Sequence, residues 1–279
     1  MSMFLTVYGH INEDVILRVD HLPGRGTAPV RSIARRMGGT AANTALVAAS
    51  LGVPTRIVAR VGRAFPREFL EDLEGGGIEL CVEVRHGEGP TCYILSDGEE
   101  QMAAIYQGPM DDTDPFPAYS SDYVHFATGP PEAFLPAREG AEGRVSVDPG
   151  QEISYRYSRE TLRAMAMGAD FFFCNEREYG IANAILGEPV ERFAKAVVLT
   201  LGGRGAELIT ESGRQRVEAF RPSRRLDTVG AGDAFRGGFY AALYRGMDVL
   251  DALRAGNAAA CLWIQEGRAP LWDEVEGML

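Results

Sequence analysis

The segment Asp227-Thr228-Val229-Gly230-Ala231-Gly232-Asp233-Ala234-Phe235 sets a Gly-x-Gly turn and a carboxylate directly before an apolar-periodic run, Phe235, Phe239, Ala242 and Leu243. That spacing predicts a helix that opens at the glycines. The first N–H groups of a helix have no internal partner and favour anions. Glycine lets such a backbone approach a ligand closely. Asp233 falls in the first turn, beside the place where an anion would lie. An anion cradle next to a potential base is what phosphoryl transfer to a hydroxyl requires.

Two further strings carry polar groups at suggestive spacing. In Gly9-His10-Ile11-Asn12-Glu13-Asp14 an amide and a carboxylate stand two residues apart, so on an extended chain both point the same way. Together they suit a pair of neighbouring hydroxyls. Gly38-Gly39-Thr40-Ala41-Ala42-Asn43 opens an Ala-rich helix with a glycine pair. Taken alone, the first string also describes a solvated turn, and the second a tight turn with a structural asparagine. Asn175-Glu176-Arg177-Glu178 and Thr200-Leu201-Gly202-Gly203-Arg204-Gly205 each follow a buried strand. By residue type they read equally as a helix start with charge complementing its dipole and as a glycine turn. No Gly-x-x-x-x-Gly-Lys-Ser/Thr loop and no Gly-x-Gly-x-x-Gly dinucleotide fingerprint is present.

DTVGAGDAF, followed by Arg236-Gly237-Gly238-Phe239, resembles the C-terminal signature of the ribokinase/PfkB family of sugar and nucleoside kinases. The resemblance implies that Asp233 is the catalytic base and that the amides of Gly230, Ala231 and Gly232 form the anion hole. Arg236 receives no role from it. Gly-x-x-Asn-x-Asp and Gly-Gly-x-x-x-Asn are similar to the family's substrate motifs, which implies substrate contacts by Asn12, Asp14, Gly38, Gly39 and Asn43. Asn-x-x-Glu implies Glu178 as the organiser of Mg²⁺, acting through water, with Asn175 near the phosphates; magnesium keeps much of its water shell. The loop at Thr200, Gly202 and Gly205, and Asn257 on the last long helix, would contact ATP. Relatives can use a monovalent cation, for which Asp227 and the Val229 carbonyl would be ligands. Glu100 to Met110 is similar to the nucleoside-kinase branch, so a nucleoside is favoured over a free sugar, with Tyr106 available to stack on a base. Ribose, fructose or a ketodeoxy sugar acid as substrate, and a sensor that binds without turnover, are the rival readings.

The elements that must position these groups follow from pattern. Buried strands near Phe4–Gly9, Arg56–Val61, Tyr123–Ala127, Arg144–Asp148, Asp170–Cys174 and Ala196–Leu201 alternate with helical stretches, which predicts a mainly parallel sheet with helices on both faces. Residues 15–36 and 82–106 break the alternation and read as a small β-sheet lid on a single domain spanning 1–279. A lid suits a kinase, which must keep water from ATP during transfer. Exposed lid edges make a homodimer through the lid an expectation.

Composition bounds the rest. Hydrophobic residues make up 46% of 279, enough for a large core. A net charge of −11 excludes the basic stripe of a nucleic-acid binder. No apolar run reaches membrane-spanning length and the N-terminus lacks signal-peptide layout. Cysteines 81, 92, 174 and 261 form no Cys-x-x-Cys pair and read as reduced thiols of a cytoplasmic protein. The single lysine, Lys195, lies outside every motif, so phosphate charge falls to amides, metal and arginines.

Overall fold

The chain enters as β1 (Leu5–Tyr8) and leaves the body as β2 (Asn12–Val19) and β3 (Val30–Gly38). It returns through α1 (Thr40–Ser50), β4 (Thr55–Gly62), α2 (Arg67–Gly75) and β5 (Glu79–Arg85), then leaves again as β6 (Thr91–Ser96) and β7 (Gln101–Tyr106). Strands and helices then alternate: β8 (Ser120–Phe126), α3 (Pro131–Glu139), β9 (Glu142–Val147), α4 (Ile153–Arg156), α5 (Arg159–Ala166), β10 (Phe171–Asn175), α6 (Glu176–Leu186) and β11 (Val197–Thr200). A hairpin, β12 (Ala206–Thr210) and β13 (Gly213–Val217), precedes α7 (Ala231–Tyr244), α8 (Val249–Glu266) and the short α9 (Trp272–Glu276). These coordinates are a computed structural model, which describes residues 3–24, 26–98, 100–226 and 228–279.

The large sheet runs β13-β12-β11-β10-β9-β8-β1-β4-β5, parallel except at the terminal hairpin. Its two faces are assigned by alternation along each strand. Phe171 and Phe173 point into the core under α1, α7 and α8, whereas Phe172 and Cys174 point into the core under α3, α5 and α6. Val198 and Val197 divide in the same way. Each fully buried phenylalanine contributes about 1.5–3 kcal/mol. α7 lies close to both of its neighbours. A methyl group at Gly237 would come within 2.6 Å of Val47 on α1, and one at Gly238 within 2.6 Å of the Ala255 carbonyl on α8.

The second sheet, β3-β2-β6-β7, is the lid. Register places Asp14, Ile16 and Arg18 opposite Cys92, Ile94 and Ser96, and these opposite Ile105, Ala103 and Gln101. This is the face that looks inward. One expectation is corrected here. Residues 82–84 were read as lid, but they belong to β5, which pairs in parallel with β4 from Arg56↔Glu79 to Gly62↔Arg85 and ends the large sheet. The alternation of Leu80, Val82 and Val84 suits either sheet equally, and only the pairing distinguishes them. All four cysteines are free thiols. Among the described residues no helix is long and apolar enough to cross a membrane.

Candidate active site

Chain order reverses around β1: the chain runs from β1 to β4 on one side and later places β8, β9, β10 and β11 on the other. Open α/β sheets bind ligands outside the carboxyl ends of their strands at such a switch point. A cavity of about 450 Å³ lies there, roofed by the inner face of the lid. His10 follows β1, Thr128 follows β8, Asp148 follows β9, Asn175 ends β10 and Thr200 ends β11, and all five line it.

Two helix N-termini enter the same space. α1 starts after Gly39, whose φ of 100° and whose contact with the His10 carbonyl leave no room for a side chain. Gly38 is packed just as closely on the Asp14 carboxylate. α7 starts after Gly230, which takes a left-handed φ of 80°. Trp263 fixes this turn from α8: its indole N–H donates to the Val229 carbonyl at 2.8 Å, and its ring packs against Gly230. Gly230, Gly232, Asp233, Asn12, Asp14, Gly39 and Asn43 all line the cavity.

Asp233 is buried, and Asn43 Nδ2 donates to its Oδ2 at 2.9 Å. Burial pushes its carboxyl up to about 7, against the opposing pull of Arg236 and Asn43; the nearby carboxylates of Asp148 and Asp14 push the same way as burial. A carboxylate tuned to neutrality is matched to proton transfer. Arg236, one turn further along α7, is itself buried. Its Nη1 stands 3.8 Å from Asp233 Oδ1 and its Nε pairs with Asp148 Oδ2. A methyl group on Gly232 would meet Nη1 at 2.7 Å, so the guanidinium sits at the tip of the helix. Burial raises the Asp148 carboxyl while Arg236 lowers it, leaving a net rise.

Asn175 and Glu178 cap α6 reciprocally, each backbone N–H donating to the other's side chain at 2.9 Å. Burial first, and then the charge of Asp148, raise the Glu178 carboxyl. Among the described residues no group of three or more His, Cys, Asp or Glu side chains is arranged to hold a metal ion.

Not every residue expected at the site borders the cavity. Gly38 and Ala231 stand behind it, and Gly202, Gly205 and Asn257 lie outside its lining. Gly205, at φ 96°, turns beneath the Val217 carbonyl, and Asn257 Nδ2 donates to the Glu218 carbonyl at 3.1 Å. Asp227 lies outside the described residues. Tyr106 is corrected: on β7 its neighbour Ile105 faces the cavity, while Tyr106 points to the outer face and is exposed. Sequence reading missed Asp148, Arg236, His10, Gln107 and Glu152. Asp148 had a usable signal, since it directly follows a buried strand of the parallel sheet.

A sequence model for the pfkB family of carbohydrate kinases matches residues 3–271. A nucleoside kinase of Thermoplasma acidophilum is 34% identical over 95% of this chain and 90% of its own length. An ATP-dependent ribose-1-phosphate kinase of Halopiger xanaduensis is 34% identical over 97% and 96%. The crystal structure of a Methanocaldococcus jannaschii nucleoside kinase, described as an archaeal member of the ribokinase family, superposes with a TM-score of 0.91 at 26% identity, covering 99% of this chain and 98% of that one. Fold and relatives together define a kinase, a phosphotransferase that uses ATP and an alcohol acceptor of the sugar or nucleoside class. The chain belongs to the pfkB family of carbohydrate kinases.

Proposed function

We propose that the protein transfers the γ-phosphate of ATP to the 5′-hydroxyl of a nucleoside. The observation that carries this reading is the position of Asp233: buried, tuned to about 7, at the tip of α7 and facing the Asn12 and Asp14 pair across one cavity. Asn12, Asp14, Gly39 and Asn43, with Gly38 behind, orient the ribose, which supplies the proximity contribution. The acceptor oxygen attacks the γ-phosphorus, Asp233 takes its proton, and the bond to the bridging oxygen breaks to release ADP. The amides of Gly230, Ala231 and Gly232 receive the charge on the phosphoryl oxygens. Arg236 adds a fixed positive charge at the same place. The nucleotide lies along β10 and β11, with Asn175, Thr200, Gly202 and Gly205 as contacts, while Asn257 orders that side by holding Glu218.

Mg²⁺ fits this site as a hydrated ion. Glu178 and Asp148 would hold it through water, where it would draw charge from the phosphates. A monovalent cation at Asp227 and the Val229 carbonyl belongs to the same proposal, and potassium dependence of turnover tests it. We read residues 1–279 as one domain working in the cytoplasm. The outer lid face carries exposed Ile33, Tyr93, Met102 and Tyr106, which supports a homodimer through the lid. Sedimentation of Ile33→Glu compared with the parent chain tests that pairing.

The deciding experiment is ADP release across nucleosides and free sugars, run on the parent chain and on Asp233→Asn. Turnover of a nucleoside, lost in the variant with ligand binding retained, is the expected result. Preference for a free sugar overturns the substrate assignment, and undiminished turnover in Asp233→Asn overturns the mechanism.

A further inference from the structure

The cavity is also lined by a buried polar cluster. Glu152 is 1% exposed, His10 2% and Gln107 7%. Gln107 Nε2 donates to Glu152 Oε1 at 2.6 Å, and His10 Nε2 lies 3.2 Å from the same oxygen. Tyr155 donates its hydroxyl to that oxygen at 3.1 Å, and Arg156 pairs with Oε2 at 3.0 Å. Burial pushes the Glu152 carboxyl up, but bonding from His10 and the charge of Arg156 outweigh it and hold the group below its ordinary value. The cluster therefore contains a carboxylate whose Oε1 accepts from Gln107 and Tyr155 and whose Oε2 faces the Arg156 guanidinium.

That carboxylate settles which way the Gln107 amide faces. A carboxylate only accepts, so the NH₂ end must point to it. Gln107 Oε1 is left buried and without a hydrogen-bond partner, on a residue that lines the cavity. An unpaired buried acceptor is costly, and a ligand that supplies a donor there removes the cost. The wall beside it is apolar: Ile105, Ala103 and Ile94 present a surface suited to the face of a flat ring. Hydroxyl recognition is assigned above to Asn12 and Asp14, which lie along the same inward lid face.

We propose that Gln107, oriented by Glu152, reads the exocyclic amino group of the nucleobase, so that the preferred substrates are amino-bearing nucleosides such as cytidine or adenosine and not their keto counterparts uridine and inosine. The proposal rests on the nucleoside reading given above. In the same pose a keto base would set one oxygen against another, its ring N–H lying one atom along the edge, and Gln107 cannot turn to offer its NH₂ without abandoning Glu152.

The test is kcat/KM, by ADP release at saturating ATP, for cytidine, uridine, adenosine, inosine and free ribose. The parent chain should favour the amino member of at least one pair by about tenfold or more. Gln107→Met should bring that ratio to within about threefold. Glu152→Gln is the sharper variant. An amide at position 152 can accept or donate, so Gln107 becomes free to turn, and the keto nucleoside should gain in absolute kcat/KM. A structural role alone would produce no such gain. Equal use of both members of both pairs, a keto preference, or a ratio unchanged in both variants overturns the proposal while the nucleoside kinase reading stands. Turnover of ribose with no nucleoside used overturns both readings.

Discussion

Asn43 Nδ2 donates to Asp233 Oδ2 at 2.9 Å, joining the first turns of two helices whose residues lie 190 apart in the chain. The bond stabilises the charged form of a carboxylate that burial pushes the other way. Removing it in Asn43→Ala should raise the Asp233 pKa by about one unit, since hydrogen bonds to charged groups are worth about 1.5–3 kcal/mol. The acidic limb of the kcat/KM profile should move up accordingly, with about a fivefold loss at pH 7. An unmoved limb would mean that Asn43 does not tune the base.

The wild-type profile has a defined sign. Asp233 as the proposed base acts when deprotonated, so kcat/KM should rise with pH through about 7, where burial places its carboxyl. A raised carboxyl also has a stability consequence. The folded state holds the proton to higher pH than the unfolded chain, so the contribution is present at low pH and lost as pH rises through about 7. Asp233→Asn removes the ionisation. Its melting temperature relative to the parent should therefore be more favourable at pH 8 than at pH 4, as measured by thermal unfolding at both.

Arg236 stands between Asp148 and Asp233 with little solvent to screen it. Arg236→Met leaves two buried carboxylates without their cation, and removing one partner of such a pair costs about 3–5 kcal/mol. Denaturant unfolding should show that loss, and the activity limb should shift upward with the Asp233 pKa. Adding Asp148→Asn to the variant should restore a large part of the stability. A strictly additive double mutant would show that the two groups do not couple.

Gly238 lets α7 and α8 meet at backbone distance. Gly238→Val places branched carbon where the Ala255 carbonyl and the Ala259 methyl already lie, and overpacking of this kind costs about 1–3 kcal/mol or more. The chevron or melting curve should report it without any change in the pH dependence of activity.

Much of the site was legible because its groups are local. Asn12 and Asp14 share a strand face two residues apart, Gly230 to Asp233 occupy one helix tip, and Asn175 and Glu178 close one capping box. Arg236 was not legible. Its position on α7 is evident, but its ion pair is made with Asp148, which arrives from the end of a strand far away in sequence. Gln107 and Glu152 were missed for the same reason: Gln107 stands in a segment that gave it no partner, Glu152 stands outside every motif, and the bond that orients one on the other spans 45 residues. Tyr106 was misplaced because an aromatic residue in a short strand gives no sign of which face will be covered.

Periodicity, glycine placement and short polar strings determined the elements, the large and small sheets, and the helix tip with its carboxylate, because these depend on neighbours within a turn or a strand pair. Burial decided the rest. The tertiary structure put Asp233 out of water and between Asn43, Arg236 and Asp148, and it turned the Gln107 amide toward Glu152. Desolvation and charge–charge coupling act through space, so the protonation of Asp233 and the edge that Gln107 turns to the cavity became readable only when the chain was folded.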